Sequence, residues 1–179
     1  MNPNKCVFGV SAGQFLGFMV HERGIEISQK TITTINKVVA PEMKVELQSL
    51  ISKINFIRRF IANLSGKIQP FSSLLKLKAD QKFVWGEAQQ KALDEIKHYL
   101  TSPPVLVPPQ KHKPFKLYLS ADECAIRSAL IQEFEGKERV IYFVSRRLLD
   151  AETRYSPVER LCLCLYFSCT KLRHYLLSA

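Results

Sequence analysis

Phe115-Lys116-Leu117-Tyr118-Leu119 opens the stretch, running to Leu177, whose reading decides the fold. Its side chains alternate with the period of two that a half-buried strand requires, placing Leu117 and Leu119 on one face. Ser128-Ala129-Leu130-Ile131-Gln132-Glu133 reads as a second strand. Phe134-Glu135-Gly136-Lys137 follows, and its glycine supplies the backbone freedom of a hairpin turn. Arg139-Val140-Ile141-Tyr142-Phe143-Val144, rich in β-branched and aromatic residues, completes an antiparallel meander. The period then changes. Ser156-Pro157-Val158-Glu159 combines a hydroxyl N-cap, proline at the first helical position and a glutamate placed to close a capping box. This predicts a helix reaching about Leu177. Leu161, Cys162, Leu165, Tyr166, Cys169, Leu172 and Leu176 make it apolar around much of its girth, which predicts burial against the sheet. Three strands and this helix are half of a larger unit.

Upstream, Lys5-Cys6-Val7-Phe8-Gly9-Val10 reads as a strand, Ser11-Ala12-Gly13 as a turn, and residues 14–20 as a returning strand closed by Glu22-Arg23-Gly24. A hairpin this apolar needs something to pack on. Ser28 caps a short helix through about Val38, with Ile32 and Ile35 on one face. After Pro41, the spacing of Leu47, Leu50, Ile51, Ile54, Ile57, Ile61 and Leu64 predicts one amphipathic helix of about five turns. A further helix spans 87–99, with Ala88, Ala92, Ile96 and Leu100 as a close-packing face. The proline-rich run 101–109 reads as a stiff, extended tether and marks a domain boundary.

At 179 residues the chain suits one large domain or two small ones. No run is long and apolar enough to span a bilayer, and no basic-then-apolar leader opens the chain. The expectation is a cytoplasmic or nuclear protein, not secreted, with no membrane partner. Five cysteines, an odd number, argue against a disulfide framework. Cys162, Cys164 and Cys169 with His174 could suggest zinc, but two helical steps of about 100° each turn Cys162 and Cys164 to opposite sides, so buried thiols are expected instead. Basic residues outnumber acidic ones by 26 to 16. Between Lys44 and Lys82, eight basic residues face only Glu46 and Asp80, and a surplus so concentrated suits a polyanion.

The runs LYLSADECAIRSALIQE (117–133), ERVIYFVSRRLLDAETRYSPVER (138–160) and KLRHYL (171–176) resemble the start of the ribonuclease H domain of gypsy-type LTR retrotransposon polyproteins. NPNKCVFGV (2–10) and FLGFMVHERGIEIS (15–28) resemble the end of the reverse transcriptase palm of the same elements. The resemblance implies an α+β chain in four parts. Residues 1–27 would be the end of the palm, a β-hairpin, and 28–100 a helical thumb and connection. Residues 101–114 would be a linker, and 115–179 a truncated ribonuclease H-like β-β-β-α unit. It also implies that Lys53, Arg58, Arg59 and Lys67 touch phosphates of a template–primer duplex. Phe56 and Phe60, set among aliphatic neighbours, are read as packing residues.

In that family an aspartate ending the first strand and a carboxylate on the first helix bind magnesium, since paired ions must hold attacking water and leaving oxygen together. The alignment puts Ser120 and Leu161 at those two positions, and neither ligates a hard cation. The neighbouring acids Asp122, Glu123, Glu152 and Glu159 are read as turn and cap residues. No Asp-Asp pair for polymerase metals occurs. The expected protein is therefore a polyprotein fragment without catalytic or metal-binding residues or cofactor of its own. It would bind RNA–DNA or DNA duplexes and the remainder of the polyprotein. The alternatives are an active hybrid ribonuclease or RNA-directed DNA polymerase within a longer polyprotein, and a host-recruited interaction module.

Overall fold

The computed structural model describes residues 6, 8–78 and 81–177. Among them the strands form two three-stranded antiparallel sheets, ordered β1-β2-β3 and β4-β5-β6, with helices between and after them.

The second sheet follows its sequence pattern. Strands β4 (Phe115–Ala121), β5 (Ala125–Phe134) and β6 (Lys137–Arg147) pair in order, and the two-residue Glu135-Gly136 turn takes positive φ at both positions (50° and 75°). That turn matches the right-handed twist of the strands it joins. Ser156 caps helix α6 (Pro157–Lys171) through the expected box: its Oγ accepts from Glu159 N at 3.3 Å, and Glu159 Oε2 accepts from Ser156 N at 2.7 Å. Leu172 breaks the helix and a last turn, α7 (Arg173–Leu176), follows. Cys164, Phe167 and Leu172 pack on the sheet, and Ser168 Oγ meets Ser128 Oγ at 2.7 Å beneath them. Burial is one-sided. Val158, Leu161, Leu165 and Tyr166 remain exposed, and so do Cys162 and Cys169, which corrects the expectation of buried thiols at all three helix cysteines. A single helix laid on one sheet can bury only one of its stripes.

The first sheet differs from its reading. Lys5 and Val7 lie outside the described residues, and Cys6 and residues 8–10 are not in a strand. The strands are β1 (Ala12–Phe15), β2 (Phe18–His21) and β3 (Gly24–Ile27), so the chain turns at Leu16-Gly17 instead of residues 11–13. Leu16 holds φ at 47° and Gly17 at 78°. A leucine in that left-handed region hides the turn, because apolar patterning reads it as strand interior.

Helix α1 (Gln29–Asn36) is capped by Ser28 as expected and buries Ile32 and Ile35. The predicted five-turn helix is shorter. Helix α2 (Lys44–Phe56) ends at Ile57, a 3₁₀ turn spans Arg58–Phe60, and α3 (Leu64–Lys67) restarts from Asn63, whose φ is 53°. Leu47, Leu50, Ile54, Ile57, Ile61 and Leu64 are all buried nevertheless. Tightening the chain after Phe56 brings Phe60 into the same core and aims Arg58 at the second sheet, so tertiary packing overrides the helical period. Helix α4 (Ser72–Leu75) and helix α5 (Glu87–Tyr99), the latter with the expected bounds, close this core through Leu74, Ala92, Leu93 and Ile96. Each fully buried Leu, Ile or Phe contributes about 1.5–3 kcal/mol.

The proline-rich segment is extended, and it is hydrogen-bonded on both sides. Leu106 exchanges two backbone bonds with Ile25 (2.8 and 3.0 Å), and Val107 N donates to Val140 O at 3.0 Å. Gln132, fully buried, bonds Gln110 and Lys113 through its amide. Gly24 lies where this strap crosses, with φ at 138°, and a Cβ there would collide with the Leu106 carbonyl. Gly24→Ala is therefore expected to lower stability by about 2 kcal/mol or more, read from the urea midpoint. An unchanged midpoint would show that the strap does not press on β3.

Candidate nucleic-acid interface

Phe15 and Leu16 at the β1–β2 tip, Phe18 and Val20 on β2, Ile25, Phe56 at the end of α2, Arg58, Arg59 and Tyr142 of β6 line one open groove. Its wall is an aromatic stack. Phe18 lies 4.9 Å from Phe56 at 12° between planes and 5.5 Å from Phe60 at 24°. Phe60 is fully buried, which agrees with its reading as a packing residue, whereas Phe56 stacks on Phe18 but is half exposed on the groove wall. The Arg59 guanidinium sits 4.3 Å from the centre of the Phe18 ring and 5.3 Å from that of Phe60. Its Nε is buried and has no hydrogen-bond partner among the described residues. The ring face holds this charge by a cation–π contact. At the groove floor Tyr142 lies 6.0 Å from Tyr175, and burial raises the Tyr175 hydroxyl above its ordinary pKa.

The four basic residues expected at phosphates do not form one cluster. Arg58 and Arg59 share the groove, although Arg58 Nη2 also donates to Ser145 O at 3.2 Å. Lys53 is exposed and lines a neighbouring groove with Gln14, Lys30, Thr31, Thr34 and Phe56. Phe56 is the partition common to both. Lys67 stands apart, with Nζ 5.6 Å from the Tyr99 ring, while the Tyr99 hydroxyl donates to Phe60 O at 2.8 Å. Lys30, the Phe15-Leu16 tip and Tyr142 were missed in the sequence because they lie far from the basic run and only the fold brings them to it. Other cations are tied internally: Lys44 Nζ, at the start of the basic run, to Leu77 O at 2.7 Å and Lys97 Nζ of α5 to Val38 O at 2.8 Å.

At the end of β4 that carries Ser120, the donors present do not fit magnesium. Ser120 offers one neutral hydroxyl, which accepts from Arg127 Nε at 3.2 Å. Leu161 offers hydrocarbon, one turn before Cys164, whose Sγ lies 3.3 Å from Arg127 O and 3.7 Å from Ser120 O. A hard divalent ion needs several charged or carbonyl oxygens at close range. The remaining acids have other work. Asp122 pairs with Arg127 at 2.8 Å. Glu152 takes Arg146 in a two-pronged pair, 2.9 Å on each side, and accepts from Leu149 N. Glu159 closes the α6 cap, and Glu123 is exposed. No group of three His, Cys, Asp or Glu residues suited to a metal occurs among the described residues, and no helix there is long and apolar enough to cross a membrane.

Comparison with known proteins settles the class. Residues 85–179, more than half the chain, match the family described as the RNase H-like domain found in reverse transcriptase. The chain belongs to that family. The Transposon Tf2-3 and Tf2-4 polyproteins of Schizosaccharomyces pombe are each 30% identical over 179 residues, 99% of this chain and 13% of the polyprotein. The chain thus spans about an eighth of the length of these curated relatives, and the resemblance to a retrotransposon polyprotein holds along it. Among solved structures, the foamy viral protease-reverse transcriptase dRH in complex with double-stranded DNA superposes with a TM-score of 0.80 at 23% identity, over 91% of this chain and 28% of that one. The foamy viral protease-reverse transcriptase in complex with RNA/DNA hybrid gives 0.78 at 23% identity, over 90% and 22%. These two likenesses establish the fold.

The Arg146 partnership holds the Glu152 carboxyl below its ordinary value. A depressed carboxylate contributes stability that is present above the unfolded pKa and is lost as pH falls through the folded one. Glu152→Gln should therefore lose less stability than the parent between about pH 6 and about pH 3, measured by urea midpoints. An equal loss in both would show that the pair carries no acid sensitivity.

Proposed function

We propose that the groove seats the backbone of an RNA–DNA or DNA duplex, with Arg59 and Arg58 on phosphates of one strand and Lys53 reaching a phosphate beyond Phe56. The carrying observation is the Arg59 guanidinium, fixed on the Phe18 ring at the groove with its Nε unpaired among the described residues. A cation so held loses little further freedom when a phosphate arrives, which favours salt-dependent, sequence-indifferent binding. The foamy viral enzymes of the same fold are recorded in complex with double-stranded DNA and with RNA/DNA hybrid, which supports the ligand class. In this reading residues 1–27 end a polymerase palm, 28–100 form thumb and connection, and 101–114 link them to the ribonuclease H-like unit 115–179. Lys67, stacked on Tyr99 outside the groove, contributes least.

The ribonuclease H-like unit is catalytically silent in this proposal, because Ser120 and Leu161 stand at the aligned metal positions and Asp122, Glu152 and Glu159 are engaged elsewhere. It serves as a structural connection. The remainder of the polyprotein is the partner we assign to the exposed apolar stripe of α6.

Anisotropy of a labelled RNA–DNA hybrid tests the binding. If three phosphates are neutralised, a fourfold rise in salt should weaken affinity about fortyfold. The Arg58→Ala/Arg59→Ala chain should bind more weakly and with a shallower salt slope. Salt-independent affinity, or full affinity in that variant, would contradict the groove. Magnesium-dependent cleavage of the hybrid by the unaltered chain would contradict the silence.

A further inference from the structure

Arg127 lies directly opposite Ser120 in the β4–β5 register. Its guanidinium donates from Nε to Ser120 Oγ at 3.2 Å and from Nη2 to Asp122 Oδ2 at 2.8 Å. The second carboxylate oxygen, Asp122 Oδ1, accepts from Cys124 N at 2.8 Å and Ala125 N at 2.7 Å. Two side chains of one strand end, two residues apart, thus converge on a single positive group, and the turn into β5 is built around the same carboxylate.

We infer that Arg127 is the built-in cation of this strand end, occupying the place where the resembling domains are implied to hold a divalent ion. The inference rests on the silent reading of the unit and adds the reason that silence would persist if an acid returned. An arginine keeps its charge at any pH a protein survives. A carboxylate introduced at position 120 would face Nε at hydrogen-bond range and form a charge-assisted pair with it, so one of its oxygens would be engaged and the fixed guanidinium charge would oppose a cation at the other. A divalent ion there would stand beside the fixed guanidinium charge and would still need its own oxygens at about 2.0–2.1 Å. The strand end is therefore held by an internal charge, with Arg127 in a positioning role, and its order does not depend on metal.

Manganese titration followed by electron paramagnetic resonance tests this on the full chain, with folding checked by circular dichroism. The probe is Mn²⁺ alone. Ser120→Asp by itself should gain no measurable site. Ser120→Asp/Arg127→Gln, which removes the internal charge and frees Asp122, should bind Mn²⁺ more tightly than Ser120→Asp by roughly tenfold or more, the scale on which a ligand's immediate partners act. If that double variant does not fold, Arg127→Ala replaces Arg127→Gln in it. Equal affinity in single and double variants overturns the inference, and so does no binding in either, for the position would then not be a cation site. Both results leave the silent reading standing. Mn²⁺ bound by the unaltered chain, with cleavage of a hybrid, removes that reading and this inference together.

Discussion

Two adjacent peptide groups hold the two sheets in one frame. Leu106 pairs with Ile25 on the edge of the first sheet, and Val107 donates to Val140 on the edge of the second. Their side chains divide in the same way: Leu106 enters the helical core, and Val107 enters the core between the second sheet and α6. Unpaired strand edges invite slippage and unwanted pairing, and here one strap of chain pins a point on each edge. Arg58 and Ser65 add bonds to Ser145 across the same seam. The groove holding Arg59 spans this junction, because Tyr142 comes from one sheet and Phe18 from the other. Its shape therefore depends on the strap.

Charge in this chain does more internal work than its net value indicates. Lys44, Arg58 and Lys97 donate to backbone carbonyls, while Arg127 and Arg146 each hold a carboxylate. A buried or half-buried carbonyl left without a donor costs more than the bond itself gains, so cations at such places hold the fold together. In the two grooves that share Phe56, Arg59 is distinguished from Lys30 and Lys53 by being held on an aromatic face.

Much of the fold was legible in the sequence where local signals agreed with the tertiary outcome. The β4–β6 meander, the Ser156 cap and helix α5 all carry their own turn, cap or period. The missed features are those in which one residue departs from its type. Leu16 takes a left-handed turn that its side chain disguises, and the helix after Phe56 tightens because Phe60 and Arg58 are needed elsewhere. The strap's pairing with both sheets had no local signature, since prolines announce extension and say nothing of partners. For the candidate site, the arginines were visible as a charge run. Their assembly with Phe18, Tyr142 and the hairpin tip, and the role of Arg127 beside Ser120, depend on strand register, which composition does not encode.

Hydrogen exchange at three amides, those of Ile25, Leu106 and Val107, tests the frame most directly. If the strap ties the sheets together, all three should exchange as slowly as the interior amides of β5. Exchange on the timescale of an exposed loop, with β5 still protected, would mean that the two halves move independently and that the groove is not preformed.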